Sequence, residues 1–422
     1  MSREMKDSGV EWIGKIPESW DIQRGKFIFT KLSRPVQDND EVITCFRDGE
    51  VTLRRNRREE GFTFSDKEIG YQGIEPEDLV VHGMDGFAGS IGISDSRGKA
   101  TPVLNVLDTK YSKPYYMYYL RSMAYSEVFT SIATGIRVRS CNLNWNKLGE
   151  LSYPVPSANE QKDIANYIKT KCTAIDTAIE KTKKSIEKLE EYKKAVITKV
   201  VTKGIDPNAK MKDSGVEWIG EIPEDWEVKQ LRTYFSRRIN KNIHLQEKNL
   251  LSLSYGRIVR KNIDTKEGLL PESFDGYNII EDGDIVIRGT DLQNDHRSLR
   301  TGLVTERGII TSAYMTLSPQ KDVNSTYYHY LLHCYDISKV FYSMGGGLRQ
   351  SLDYWEFIRM PVLHPTDREQ EEIVSYIKTK CTAIDNAIEK KKKAIEKWEE
   401  YKKSLIYYAV TGKIECRNEV IE

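Results

Sequence analysis

The 13 prolines include no Pro-Pro pair, and the six cysteines include no C-x-x-C pair. The first absence removes the [NDS]-P-P-[YF] loop of DNA adenine methyltransferases. The second leaves the cysteines as small buried hydrophobes suited to a reducing cytoplasm. No apolar run approaches the ~18–20 residues of a membrane span. The N-terminal "MSREMKDSGV" lacks the charged-then-apolar pattern of a signal peptide, so the expected location is cytoplasmic, with no membrane partner. Excess charge is also missing: 64 Lys+Arg face 63 Asp+Glu. Attraction for a polyanion must therefore come from local patches, since nucleic-acid binders are often basic overall.

With 422 residues, 39% of them hydrophobic, the chain has room for two or three packed domains. Near the start, "GVEWIGK" (Gly9–Lys15) has the G-x-x-x-x-G-K spacing of a phosphate-binding loop. That loop needs Ser or Thr after the lysine and a strand before the first glycine. Here Ile16 follows the lysine, and the preceding residues are polar. More tellingly, "MKDSGVEWIGKIPESW" (Met5–Trp20) returns as "MKDSGVEWIGEIPEDW" (Met211–Trp226), identical at 14 of 16 positions, with Glu221 in place of Lys15. A phosphate-binding lysine would not have a carboxylate as its twin. What both copies keep is an apolar set, Trp12, Ile13, Ile16, Pro17 and Trp20, suited to docking on another apolar surface.

A second repeat is longer. "YIKTKCTAIDTAIEKTKKSIEKLEEYKKAVIT" (Tyr167–Thr198) returns at Tyr376–Tyr407 with 25 of 32 positions identical. Its apolar residues Ile168, Cys172, Ile175, Ile179, Ile186, Leu189 and Val196 alternate in steps of four and three, with Thr182 and Lys193 filling the missing positions. The second copy repeats the stripe as Ile377, Cys381, Ile384, Ile388, Ile395, Trp398 and Leu405. This heptad seam predicts two long helices that pair, with Glu and Lys on the solvated flanks. Helix one, from about Glu160 to Lys199, would span ~60 Å at about 1.5 Å per residue. Gly204 and Pro207 would end it, and Gly412 would end helix two.

Two segments of roughly 150 residues precede these helices and share only a skeleton. "GYQGIEPEDLVVHG" (Gly70–Gly83) aligns with "GYNIIEDGDIVIRG" (Gly276–Gly289), and "GIRVRSCNLNW" (Gly135–Trp145) with "GGGLRQSLDYW" (Gly345–Trp355). "DLVVHG" and "DIVIRG" read as strands, and the Tyr-rich stretches 115–120 and 327–331 as helices. The expected fold is α+β: two pseudo-symmetric α/β globules joined by two long antiparallel coiled-coil helices. The expected boundaries are 1–158 (docking segment and first globule), 159–204 (helix one), 205–366 (docking segment and second globule) and 367–422 (helix two and tail). In this scheme the N-terminal segment serves helix two as the second segment serves helix one.

Several constellations have a functional and a structural reading. Glu191-Tyr192-Lys193 carries the E-x-K half of a nuclease signature, yet recurs on the other long helix as a solvated face. His329 and His333 have the i, i+4 spacing of zinc helices, but no third ligand is evident and the aligned positions are Met117 and Arg121. Gly83, Gly86, Gly89 and Gly92 suit either an anion nest or turns. The tyrosines 115, 116, 118, 119, 327, 328 and 330 suit base stacking or helix packing; their recurrence in both globules favours packing. The arginine clusters are evenly balanced. Arg54, Arg55, Arg57 and Arg58, then Arg137 and Arg139, then Arg257, Arg260 and Lys261, then Arg349 can bind phosphates or read guanine edges, or can form solvated surface.

The layout resembles the specificity subunit of type I restriction–modification systems. The resemblance rests on the twin heptad helices after Glu160-Gln161 and Glu369-Gln370. It rests also on the G-x-x-x-R…W…P-V approach to each (Gly135/Arg139/Trp145 and Gly345/Arg349/Trp355) and on the W-I-G-x-I-P-x-x-W openings at 12–20 and 218–226. It covers essentially the whole chain. It implies that each globule is a target-recognition domain reading one half of a bipartite double-stranded DNA sequence. The helices would set the gap and dock two modification subunits, which bind S-adenosylmethionine and methylate adenine N6. A restriction subunit with ATP- and Mg-dependent translocase and nuclease activity can join. The chain itself would be non-catalytic and would carry no cofactor or metal. A different class of reading is a non-DNA scaffold in which twin helices join two ligand-binding globules.

Overall fold

In the computed structural model, residues 3–57, 68–132, 143–263, 273–292, 295, 299–344 and 351–416 are described. The opening segment folds as an antiparallel hairpin, Met5–Asp7 with Lys15–Pro17, and its repeat does the same with Met211–Asp213 and Glu221–Pro223. Lys15 thus enters a strand where a phosphate loop would enter a helix. By contacts the chain divides into two units, one of Met1–Lys183 with Lys392–Glu422, the other of Lys184–Lys391.

Unit one is built on a four-stranded antiparallel sheet in the order Phe29–Lys31, Leu104–Thr109, Leu79–His82, Ile91–Ile93. Unit two repeats it with Phe235–Arg237, Met315–Pro319, Ile285–Ile287 and Thr301–Leu303. The aspartate of each shared signature, Asp78 or Asp284, accepts the backbone N–H of Glu75 or Glu281 and pairs with Arg34 or Arg238. It therefore shapes the turn that feeds the strand "LVVH" or "IVI". In each unit one more strand pair leads toward the long helix: Asp21–Arg24 with Ser152–Val155, and Glu227–Gln230 with Pro361–His364.

The Tyr-rich stretches are helices, Lys113–Tyr125 and Ser325–Ile337, opened by Ser112 and Asn324 side chains that accept the N–H of Tyr115 and Tyr327. Their rings face inward. Tyr115, Tyr116, Tyr119, Tyr327 and Tyr328 are essentially fully buried, and burial pushes their hydroxyl pKa values up. Each buried hydroxyl has a partner, as a desolvated O–H requires: Tyr115 donates to Val410 O (2.8 Å), Tyr119 to Ser152 O (2.9 Å) and Tyr327 to Val201 O (3.3 Å).

The long helices run Ala158–Lys203 and Asp367–Val410. At the start of the first, Ser157 and Glu160 form a reciprocal capping box: Glu160 Oε2 accepts the Ser157 N–H, and Ser157 Oγ accepts the Glu160 N–H. The Glu-Gln pair has a second task in both copies. The glutamate receives the indole N–H of the docking segment, Trp20 on Glu160 (3.3 Å) and Trp226 on Glu369 (2.9 Å). The buried glutamine amide donates to a proline carbonyl, Pro156 or Pro365.

Within unit one, the buried residues Ile13, Ile16 and Trp20 share a core with Ile406, Ala409 and Val410 at the end of the second long helix. Within unit two, Ile219, Ile222 and Trp226 pack with Ile197, Val200 and Val201 at the end of the first. The N-terminal segment thus serves helix two. Gly204 and Gly412 end the helices at φ +75° and +69°, the left-handed cap that glycine adopts without strain. A Cβ on Gly412 would lie 2.5 Å from Pro17 Cγ, so this glycine also admits the docking segment.

Ile168, Cys172, Ile175, Ile179 and Ile186 are buried on the first helix, and Ile377, Cys381, Ile384 and Ile388 on the second. Ile175, Ile179 and Leu405 form one cluster, with Ile395 half-buried against it. Leu189 is half-buried. Trp398 departs from the expected seam: it is 40% exposed, its ring edge-on to the exposed Tyr401. The five described cysteines are buried and unpaired, with burial pushing Cys172 up to about 11. Register is marked by a reciprocal exchange. In unit one Lys402 Nζ contacts both Asp176 carboxylate oxygens at 2.7 Å. In unit two Lys193 contacts both oxygens of Asp385 at 2.7 Å. Asp176 and Asp385 are the same repeat position, as are Lys193 and Lys402, so each copy gives what it receives. Lys193 thus uses its polar place in the seam. Exposed pairs of this kind contribute about 0–1 kcal/mol, so they select the antiparallel register more than they stabilise it.

The two joints differ in charge. Arg3 pairs with Glu160; the position equivalent to Arg3 is Ala209. Burial pulls Glu160 upward, but hydrogen bonds from Ser157, Arg3 and Trp20 outweigh it and hold the carboxyl below its ordinary value. At Glu369 burial dominates, and despite the Trp226 bond its pKa is raised. A depressed carboxylate stabilises above its unfolded pKa and loses that contribution as pH falls through the folded pKa; a raised one behaves oppositely. Acidification from pH 5.5 to 3.5 should therefore lower the hydrogen-exchange protection of residues 13–20 relative to 219–226, after correction for intrinsic exchange. Equal loss at both segments would show that Arg3 does not differentiate the joints.

Candidate nucleic-acid interface

Each unit carries a corresponding two-stranded hairpin with one apolar edge buried against the sheet, Ile43–Cys45 with Val51–Leu53 in unit one and Leu251–Ser254 with Arg257–Arg260 in unit two. The basic clusters sit on these hairpins. Arg54 and Arg55 lie in the 3-10 turn Arg54–Asn56 that follows Leu53. Arg54 Nε donates to Thr44 Oγ1 (3.3 Å) and Arg55 pairs with Glu41 (2.7 Å). Arg57 contacts Asp48 (2.6 Å) and Glu50 (2.8 Å) and lies over the Phe46 ring, 4.4 Å from its centroid. These bonds, that to Asp48 first, hold the Arg57 guanidinium above its ordinary pKa. Two of the cluster's arginines, Arg55 and Arg57, are therefore held by acids of the hairpin and its neighbour Glu41.

In unit two, Arg260 makes a close pair with Glu306 through Nε (2.8 Å) and Nη2 (2.5 Å), which raises its pKa. Arg257 and Lys261 are exposed and form no ion pair among the described residues. Between the strands the chain turns at Tyr255, which is 86% exposed at φ +47°. Arg58, Arg137, Arg139 and Arg349 lie outside the described residues.

The remaining constellations resolve into structure. Gly83, Gly86 and Gly89 belong to the connection between the strands Leu79–His82 and Ile91–Ile93, and Gly92 lies within the second of these strands. A Cβ on Gly92 would lie 1.9 Å from Gly49 O, so close backbone approach explains that glycine. His329 is half-buried and held neutral by desolvation, its pKa pushed down to about 3, with His333 stacked on it at 6.0 Å. No group of three His, Cys, Asp or Glu with metal-binding geometry occurs among the described residues. Nor is any described helix long and apolar enough to cross a membrane.

One basic feature escaped the sequence reading. In unit two a groove is lined by Arg237, Gly289, Thr290, Tyr314, Tyr354 and Trp355, among others. Arg237 is exposed at the end of the edge strand Phe235–Arg237, and its guanidinium lies 5.3 Å from the Tyr354 ring centroid. Trp355 is 66% exposed, edge-on to Tyr354 with centroids 5.1 Å apart. A faint signal existed: the docking-segment alignment places Lys31 at the Arg237 position, so both copies carry a cation there.

Two divergent globules on one duplicated frame of hairpin, joint and long helix define a tandem-repeat protein of two related units. Comparison with known proteins says of what kind. The chain is 28% identical over 441 aligned residues to a putative type I restriction enzyme specificity subunit (MjaX) of Methanocaldococcus jannaschii, covering 96% of both chains. It is 25% identical to the MjaVIII specificity subunit of the same organism, over 96% of this chain and 95% of that one. No family model matches. The fold is shared with a chain from a structural study of complex assembly and conformational transition of the type I restriction–modification system (TM-score 0.68, 10% identity, 94% and 99% coverage). It is shared also with the HsdS subunit of Thermoanaerobacter tengcongensis (TM-score 0.54, 12% identity, 94% and 98% coverage). The resemblance read from the sequence therefore stands: its full-length relatives are type I specificity subunits, and its fold is that of solved ones.

The paired arginines make a specific prediction about DNA contact. Each phosphate neutralised changes the log-log salt slope by about 0.9, but a cation already held by a carboxylate adds little net charge. Glu306→Gln, which releases Arg260, should strengthen duplex binding and steepen the slope by about one such contact, whereas Arg260→Ala should change it little. An unaltered slope in E306Q, from titrations at several salt concentrations, would remove Arg260 from the interface.

Proposed function

We propose that this chain is the DNA-specificity subunit of a type I restriction–modification complex. Each unit reads one half of a bipartite duplex target, and the paired helices set the gap between the halves. The observation that carries the reading is full-length similarity to specificity subunits in a chain that is itself a tandem repeat, with shared joints and divergent globules. The scaffold alternative has no comparable support.

In this reading the chain is non-catalytic and acts in the cytoplasm. S-adenosylmethionine, ATP and Mg belong to partner subunits. Two modification subunits dock on the helices, and restriction subunits join the assembly. Trp398, turned outward beside Tyr401, fits such docking better than helix pairing, and Tyr192, equivalent to Tyr401, is also exposed. DNA binding would use the hairpin arginines Arg54, Arg55, Arg57, Arg257 and Arg260 with Lys261. Because Arg55, Arg57 and Arg260 are already held by acids, Arg257 and Lys261 would supply most of the net charge to a phosphate there.

The direct test is single-molecule mapping of N6-methyladenine in the host genome with the gene present and deleted. A bipartite methylated motif should vanish on deletion, and the isolated chain should turn over neither S-adenosylmethionine nor ATP. A methylome indifferent to the deletion would overturn the reading.

The spacer role has its own test. Inserting one heptad into both helices, after Lys184 and after Lys393, keeps the seam in register. It adds ~10 Å at about 1.5 Å per residue, close to three base-pair steps of ~3.4 Å. The half-sites should persist with a gap longer by about three base pairs. The same insertion in one helix alone should break pairing and abolish methylation. An unchanged gap in the paired-insertion protein would show that the helices are not the ruler.

A further inference from the structure

Resting on the DNA-specificity reading, we propose that Arg237 is a specificity-determining residue of unit two. It reads a guanine edge from the groove it shares with Tyr354 and Trp355, and Trp355 offers its exposed face to the apolar edge of a neighbouring base pair.

Several arginines of unit two are already committed. Arg238 is committed to the buried Asp284, Arg260 to Glu306 and Arg307 to Glu247 and Glu281. Arg300 is fully buried; its guanidinium donates to the carbonyls of Arg288, Thr290, Asp291 and Asp295. Among the described residues, Arg257 is exposed and without an ion pair but lies over no ring; among the described arginines of unit two, Arg237 combines exposure, no ion pair and a place over an aromatic ring.

Stacking matters because guanine recognition requires a planar donor fork presented in a fixed plane, so that two N–H groups meet O6 and N7 together. A phosphate contact requires only charge. A guanidinium held by a ring has lost orientational freedom before DNA arrives, which favours the directional contact. The surroundings agree. Gly289 puts backbone without a side chain in the groove wall, and a 66% exposed tryptophan is an unusually large apolar surface to leave in water unless it meets a partner. The groove contains one acid, Asp353, and its carboxylate already accepts the Glu356 N–H (3.1 Å) as a helix cap.

In unit one the helix caps Asn144 and Asp353 are equivalent, so the corresponding residues are Lys31, the half-buried Trp145, which packs into the core, and Asn146. That unit lacks the stacked fork, so the two globules read their half-sites with different chemistry at this shared position.

The experiment compares Arg237→Lys, Arg237→Ala and Trp355→Ala in the full chain, expressed in the host with its partner subunits, with methylated motifs mapped genome-wide. R237K keeps the charge and loses the fork, so it separates the two kinds of contact. The expected result is that R237K and R237A both relax one guanine position of a single half-site. Discrimination there should fall roughly tenfold to a hundredfold, with the other half-site and the gap unchanged. W355A should weaken selection at the adjacent position. If R237K retains the wild-type motif while R237A lowers methylation uniformly, Arg237 is a phosphate contact and the proposal fails. It fails equally if both variants keep the motif and its occupancy. Melting temperature and co-purification with partner subunits identify any variant that has lost its fold, in which case Arg237→Gln replaces it. A methylome unaffected even by gene deletion would instead defeat the underlying reading.

Discussion

Everything in this molecule hangs on a joint in which an indole N–H meets a glutamate at the start of a long helix. Trp20 on Glu160 and Trp226 on Glu369 are fully buried, and Glu160 cannot move without disturbing its helix cap. Loss of a buried tryptophan side chain costs about 3–5 kcal/mol, comparable to a large share of a domain's stability. Each joint gathers four pieces: a docking hairpin, a tyrosine helix, the start of one long helix and the end of the other. Because the last piece comes from the other repeat, neither unit completes its core from one half of the sequence. This explains why the docking segment and the helix are nearly identical between copies while the sheets between them have diverged. The joint sees the same neighbours twice; the hairpins do not.

The same constraint decides what could be read from the sequence. The heptad stripe fixed which residues of the long helices turn inward over Ile168–Ile186 and Ile377–Ile388, because period and burial coincide there. It erred at Trp398, which occupies a regular seam position by spacing but is exposed. Spacing identifies a helix face; it does not say how far along the helix a partner covers that face. The tyrosine helices were legible because the rings recur in both copies. The role of Glu-Gln was not, since a buried glutamine bonding a proline carbonyl five residues earlier leaves no periodic trace.

The arginine clusters show a different limit. From sequence, "LRRNRREE" and "GRIVRK" read as concentrated positive charge. In the fold, Arg55 meets Glu41, Arg57 meets Asp48 and Glu50, and Arg260 meets Glu306. Two of these partners lie within ten residues and the most distant is 46 residues away, beyond a window that sums local charge. Conversely, "SRRINK" at 236–241 holds two arginines that the fold treats differently: Arg238 meets the buried Asp284, while Arg237 lies over the Tyr354 ring with no ion pair among the described residues. Local density of a residue type is a poor measure of available charge when acids are equally abundant.

That balance also bears on how a nearly neutral protein can discriminate among DNA sequences. Non-specific affinity comes from unpaired charge and falls steeply with salt, whereas discrimination comes from oriented donors and apolar contacts at base edges. A chain that pairs most of its arginines internally sacrifices the first and keeps the second wherever a fork is held in place. Two such readers, each weak alone, gain from being joined, because binding of one raises the effective concentration of the other at a matching second half-site. The gain requires a connector stiff enough to keep the separation defined. Two helices with a reciprocal Lys–Asp register supply a pairing of that kind, for little cost in stability. On the proposed reading, internal charge pairing in the globules and the pairing of the helices are complementary: the first would hold single-site affinity low, and the second would make it sufficient only where both half-sites are present at the right distance.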